Sequence, residues 1–168
     1  SMSKLMTLAV VFRELKAGRI TLDDTFKVSE HAWRTGGAPS GTAAMFAPLG
    51  SLITVADLIQ GVTVQSANDG ALILAEGIGG TEEGFVKMMN DYAEQIGLTG
   101  SNFVNPTGLP AEGHLMTPRD LATLSKHLIE TYAVFYPYFA QKEFRYRVKF
   151  TFRNRNPLVW SKVGVDGL

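Results

Sequence analysis

Apolar residues recur at Leu5, Leu8, Ala9, Phe12 and Leu15, the spacing of one helix face, and Gly18 after Ala17 can close that helix in the left-handed conformation. So apolar a helix belongs at the centre of a fold. Thr21 to Val28 reads as a turn and a short extended piece. Trp33 to Thr42 is rich in chain breakers and predicts an ordered surface loop on the rim of a cleft, because Trp33, Met45 and Phe46 must pack on something. Pro48-Leu49-Gly50-Ser51 predicts a turn. Thr54 to Asp57 is a variant capping box that opens a helix through Leu58, Ile59 and Val62, ending near Gln65. A second apolar helix runs through Ala71 to Ala75 and stops before Gly77. Thr81 caps another, with Phe85, Met88, Met89, Tyr92 and Ile96 on one face and Gly97 as its stop. Residues 100–113 form a long loop. Thr117-Pro118 then starts a helix whose Leu121, Leu124, Leu128 and Tyr132 face inward.

From Phe144 the period changes to two. Phe144, Tyr146, Val148, Phe150 and Phe152 alternate with polar, mostly cationic residues, which predicts a half-buried strand. Asn154 to Pro157 would close a hairpin into Leu158-Val159-Trp160. Helices dominate the middle, and strand signal lies towards the ends.

Composition narrows the function. The 168 residues are 45% hydrophobic and 19% charged, with sixteen basic and sixteen acidic side chains, so no net field favours nucleic acid or an anionic membrane. Alternation in the Phe144–Phe152 stretch sends aromatics and cations to opposite faces, whereas a nucleic-acid stacking platform needs them on one. Cysteine is absent, which excludes disulfides and thiolate metal sites, and the three histidines show no ligand spacing; neither metal nor cofactor is expected. No apolar run reaches the length of a membrane-spanning helix, and no leader pattern is present.

Two short motifs carry the chemistry. Ser1 and Lys4, three apart, share a helix face, so a hydroxyl lies beside an amine able to act as its base. If Ser1 opened the helix, free backbone N–H groups there would favour developing negative charge. Ser66-Ala67-Asn68 separates two apolar helices. Ser66 and Asn68 either cap the second helix or project into a cleft between helices.

Ser-x-x-Lys followed by Ser-x-Asn between two helices is the spacing of the penicillin-recognising serine enzymes. The chain as a whole resembles one branch, the low-molecular-weight D-alanyl-D-alanine carboxypeptidases. Lys16-Ala17-Gly18-Arg19-Ile20, Gln65 to Asp69, Gly97-Leu98-Thr99, Asn154-Arg155-Asn156 with Leu158-Val159-Trp160, and Val165-Asp166-Gly167 carry the likeness. It implies an α+β, β-lactamase/transpeptidase-like fold, of which residues 1–168 would supply the helical region and a hairpin. Most of the central antiparallel sheet, with the third motif Lys-Thr-Gly, would lie outside them. Residues 1–168 are then expected to be part of a penicillin-binding catalytic domain, inactive or nearly so without that sheet, which a second polypeptide fragment could complete.

The resemblance also implies roles. Ser1 is the nucleophile and Lys4 its base. Ser66 relays a proton to the leaving amine, and Asn68 binds the substrate's peptide group. The expected partners are a peptidoglycan stem peptide and β-lactam antibiotics, with no nucleic acid, and with membrane contact only through a C-terminal anchor. The implied location is periplasmic, on the outer face of the inner membrane. The nearest rival is a serine β-lactamase of the same fold, for which Glu112 is the candidate deacylation base. An N-terminal-nucleophile hydrolase and a non-catalytic binding module are further alternatives.

Overall fold

A helix that is apolar on every side must be enclosed by others, and the first helix is. In the computed structural model, which describes residues 2–147, 150–161 and 164, α1 spans Lys4–Lys16 and buries Leu5 through Phe12 without interruption. Around it stand α4 (Asn68–Gly79), α5 (Glu82–Gln95) and α6 (Pro118–Thr131). α3 (Val55–Gln65) packs on α4, as does the short α2 (Glu30–Gly36). Phe12 is fully buried, stacked on Phe135 at 4.9 Å and set edge-on to Phe139 at 6.2 Å. Removing such a ring typically costs about 3–5 kcal/mol.

Strands are few and local. β1 (Thr25–Lys27) pairs antiparallel with β2 (Leu52–Thr54), and β3 (Glu143–Tyr146) pairs with β4 (Phe150–Arg153). The α+β reading holds, with helices in the majority.

The helix starts obey their caps. Thr54, Thr81 and Thr117 each accept from the backbone N–H three residues on, at Asp57, Gly84 and Asp120. Four expectations need correction. Residues 33–36 are helical rather than loop, because Ser29 accepts from Ala32 and caps α2, with Glu30 in its first turn. α4 continues through Gly77 to Gly79: a Cβ at Gly77 would lie 2.3 Å from the Phe26 ring, so glycine here is a packing requirement and not a stop.

The third correction concerns the aromatic stretch. It is a hairpin, not one long strand, because the chain turns at Arg147, whose φ is +52°. The register sets Phe144 opposite Phe152 and Tyr146 opposite Phe150, so these aromatics still share a face. Val148 and Lys149 lie outside the described residues. Pro157–Trp160 forms a 3-10 turn rather than the second arm of a hairpin, because Pro157 cannot donate to a ladder and Asn156 accepts from Leu158 N–H.

Candidate active site

Lys4 is the first residue of α1 and only 6% exposed. Its Nζ donates to the Thr107 carbonyl at 2.7 Å, and three residues further into the helix Thr7 Oγ1 donates to the Pro106 carbonyl, also at 2.7 Å. Both acceptors belong to the 100–116 loop. Asn105 shapes it: Oδ1 accepts from Gly108 N–H and Thr107 Oγ1, while Nδ2 donates to the Leu109 carbonyl. Asn90 on α5 grips both the N–H and the carbonyl of Phe103. A loop rich in turn residues is thereby stiffened enough to present a carbonyl to a buried amine.

No carboxylate pairs with Lys4 among the described residues. Burial disfavours its ammonium, and the nearby positive charge of Arg155 does so further, so the pKa falls from 10.5 to about 8. Arg155 itself is exposed, on the segment after β4. Asn154 fixes that segment: it is buried, bonds Lys142 O through its N–H and Gln141 O through Nδ2, and accepts Asn156 N–H on Oδ1. Arg155 N–H reaches the Val64 carbonyl on α3 at 3.3 Å. The Asn154-Arg155-Asn156 sequence therefore serves to place one cation beside Lys4.

Ser66 ends α3 with φ +58° and ψ +37°, the left-handed region that non-glycine residues seldom occupy. That single reversal lets α4 begin two residues later. Lys4, Ser66 and Arg155 all line one cleft of about 430 Å³, whose floor includes Leu8, Val62 and Phe139. Asn68 does not line it. It is 2% exposed at the head of α4, donates from Nδ2 to Thr42 Oγ1 at 3.0 Å, and leaves Oδ1 buried without a hydrogen-bond partner among the described residues. Neither Ser66 nor Asn68 caps α4, where the cap residue is Ala67 and no side chain bonds.

The neighbouring Asp69 is fully buried. Its carboxylate accepts from the backbone N–H groups of Met45, Ala47 and Gly70, holding the 43–47 segment against α4. Burial raises its pKa and those three bonds oppose the rise. α2 reaches this point because Gly36 has no side chain: a Cβ there would lie 2.7 Å from the Asn68 carbonyl carbon and the Asp69 nitrogen. The residues expected to rim a cleft thus brace the Ser-x-Asn motif from behind.

Ser1, the expected nucleophile, lies outside the described residues. The helix that it was expected to open begins at Lys4, after a turn in which Leu5 and Met6 N–H groups bond the Met2 and Ser3 carbonyls. Glu112 is exposed on the loop. Among the described residues no three His, Asp or Glu side chains are grouped to hold a metal. Thr107, Arg155, His114 and Thr42 were not anticipated as neighbours of the motifs. Of these, only Arg155, within the family-like Asn-Arg-Asn triplet, had any signal in the sequence.

Comparison with known proteins gives a consistent picture. The sequence profile of the D-alanyl-D-alanine carboxypeptidase family matches residues 1–168. D-alanyl-D-alanine carboxypeptidase DacC of Escherichia coli is 42% identical over 170 residues, covering 100% of this chain and 42% of that protein. Penicillin binding protein 6B from E. coli superposes with a TM-score of 0.90 at 38% identity, over 97% of this chain and 51% of that one. Penicillin-Binding Protein D2 from Listeria monocytogenes, solved in its cefotaxime-bound form, gives 0.84 at 27% identity over 100% of this chain and 66% of that one. The chain therefore spans less than half the length of the curated relative and about half of the first of these structures.

Proposed function

Because this chain belongs to the D-alanyl-D-alanine carboxypeptidase family, we propose that it forms the helical part of a serine carboxypeptidase that removes the terminal D-alanine from peptidoglycan stem peptides. The observation that carries this reading is Lys4: a buried amine with no anionic partner among the described residues, bordered by a cation, on the same cleft as Ser66. A structural lysine would be paired or solvated. A base needs its neutral form, and a pKa near 8 leaves about a tenth of Lys4 neutral at pH 7.

In this mechanism neutral Lys4 takes the proton of Ser1, whose oxygen attacks the carbonyl between the two D-alanines. The C–N bond breaks as Ser66 passes a proton to the leaving amine, and D-alanine departs. Water then hydrolyses the ester on Ser1. One oxyanion donor is the N–H of Ser1. The second, with a Lys-Thr-Gly motif, comes from polypeptide beyond residues 1–168, as the greater length of the relatives suggests. β-Lactams enter the same path and acylate Ser1, a reading supported by the cefotaxime-bound relative. A periplasmic location at the inner membrane follows from the substrate; among the described residues no helix is long and apolar enough to cross a membrane.

The test uses a protein of the relatives' full length that carries this chain. It should release D-alanine from a synthetic stem peptide and bind fluorescent penicillin covalently, and Ser1→Ala should lose both. Labelling retained in Ser1→Ala would overturn the nucleophile assignment.

A further inference from the structure

Hydrogen bonds at Lys4, Thr7 and Ser3 fasten the 102–115 loop to the beginning of α1. Two are the bonds from Lys4 and Thr7 already described, whose carbonyl acceptors do not titrate. The third joins His114 Nε2 to Ser3 Oγ at 3.0 Å, inside the Ser-x-x-Lys segment. Ser3 is buried and directly precedes Lys4.

The state of the imidazole is fixed by its other nitrogen. Val104 N–H, which can only donate, points at His114 Nδ1 from 3.1 Å. Nδ1 must therefore hold a lone pair, and the proton of the neutral ring sits on Nε2, where it is donated to Ser3. A doubly protonated ring has no acceptor for Val104. The ring also sits where the loop closes. Asn102 and Leu115 exchange two backbone hydrogen bonds of 2.8 Å, Asn102 Nδ2 donates to the Gly113 carbonyl, and Phe103 meets the imidazole edge-on at 5.8 Å.

We propose that His114 is a positioning residue for Lys4: its neutral ring clasps the loop to Ser3, keeps Lys4 dry beneath the Thr107 carbonyl, and releases that arrangement on protonation. Its effect on acylation rests on the proposed function; its effect on Lys4 does not.

Few other charges bear on the ring. It shares a small pocket with Met2, Ser3, Met116, Thr117 and Leu121, none of which titrates. At the head of α1, Lys4 is turned to Thr107. On the loop Glu112 is exposed, as is Arg119 at the head of α6, where Asp120 is engaged by Gly100 N–H and Ser101 Oγ. Burial pulls the imidazole below its ordinary 6.5, so the clasp is closed at neutral pH.

The experiment reads Lys4 directly, by titrating its ¹³Cε signal in lysine-labelled protein of the relatives' full length, the signal being assigned by its loss in Lys4→Met. In the unaltered protein it should titrate near pH 8. His114→Ala should move it upward by about a unit or more as water reaches the amine. His114→Gln, whose carboxamide keeps an Nε2 donor and an acceptor oxygen, should leave it near pH 8. Fluorescent penicillin provides the second arm. Below pH 8 the logarithm of the labelling rate should fall with unit slope, with a further drop of about tenfold as His114 protonates, whereas His114→Gln keeps unit slope throughout. An unchanged Lys4 titration in His114→Ala would overturn the proposal, as would a low-pH fall in His114→Gln matching the unaltered protein. If Lys4 shifts as stated but no variant labels, the clasp stands and the carboxypeptidase reading fails.

Discussion

Lys4 and Glu14 sit near opposite ends of α1, 6% and 5% exposed, yet the fold treats their charges in opposite ways. Glu14 is ion-paired with Arg19 and with Arg13, and its pKa falls mainly because Arg19 bonds the carboxylate. Among the described residues Lys4 meets a neutral carbonyl and a cation but no carboxylate, and its pKa falls because the charged form is penalised. Both shifts are downward. One secures a charge, and the other makes a charge easier to lose, as the proposed base requires. Within one helix, the presence or absence of a counter-ion separates scaffold from candidate chemistry.

The sharpest way to break this contrast is to exchange each group for its uncharged counterpart. Lys4→Met should cut penicillin labelling by about 10²–10⁴-fold, the usual worth of a positioned base, while thermal stability at pH 7 holds or rises. Glu14→Gln should do the reverse: labelling stays within about twofold, and Tm drops by a few degrees. A loss of labelling in Glu14→Gln, or a large loss of Tm in Lys4→Met, would erase the distinction.

Next in size is the brace behind the Ser-x-Asn motif. Gly36→Ala places a methyl against the backbone of Asn68 and Asp69, and chemical denaturation should show a loss of about 1–3 kcal/mol. An unchanged midpoint would mean that α2 shifts freely.

The pH dependence sharpens the comparison further. Lys4 in the folded protein loses its proton near 8, below the unfolded 10.5, so the group opposes folding at neutral pH and the penalty is relieved as pH rises from 8 to 10.5. Glu14, with a folded pKa below 4.5, stabilises above 4.5 and loses that contribution as pH falls through its folded value. Labelling should rise with pH towards 8. Arg155→Ala, which removes the neighbouring cation, should displace that profile upward and slow labelling several-fold at pH 7. A profile unmoved in Arg155→Ala would leave burial as the sole cause of the Lys4 shift.

The smallest effect is expected at Glu112. It is exposed and does not line the cleft that holds Lys4 and Ser66, so Glu112→Gln should leave the lifetime of the acyl-enzyme unchanged within about twofold. A strongly prolonged acyl-enzyme would favour the β-lactamase alternative.

Local signals determined most of the helices. Threonine caps at 54, 81 and 117 and the apolar periods behind them act over a few residues, so they are legible without tertiary context. Alternation in 144–152 marked a shared aromatic face, but the reversal at Arg147 depends on a left-handed residue that no glycine announces. Likewise α2 hides in a run of breakers because Gly36 and Gly37 serve packing and termination instead of a loop.

For the site, the sequence by itself determined the residue types: a Ser-x-x-Lys whose amine could act as a base, a Ser-x-Asn between helices, and a family whose chemistry uses both. Only the tertiary structure decided which of them meet. Lys4 and Ser66 share a cleft, whereas Asn68 is buried behind it on Thr42. It also decided how Lys4 is tuned, through burial and the charge of Arg155, and it set the Thr107 carbonyl and the His114–Ser3 bond beside the motif from distant parts of the chain. Motif spacing records which atoms are available. Desolvation and neighbouring charge, which set whether an amine is a base, depend on what the rest of the chain packs around it.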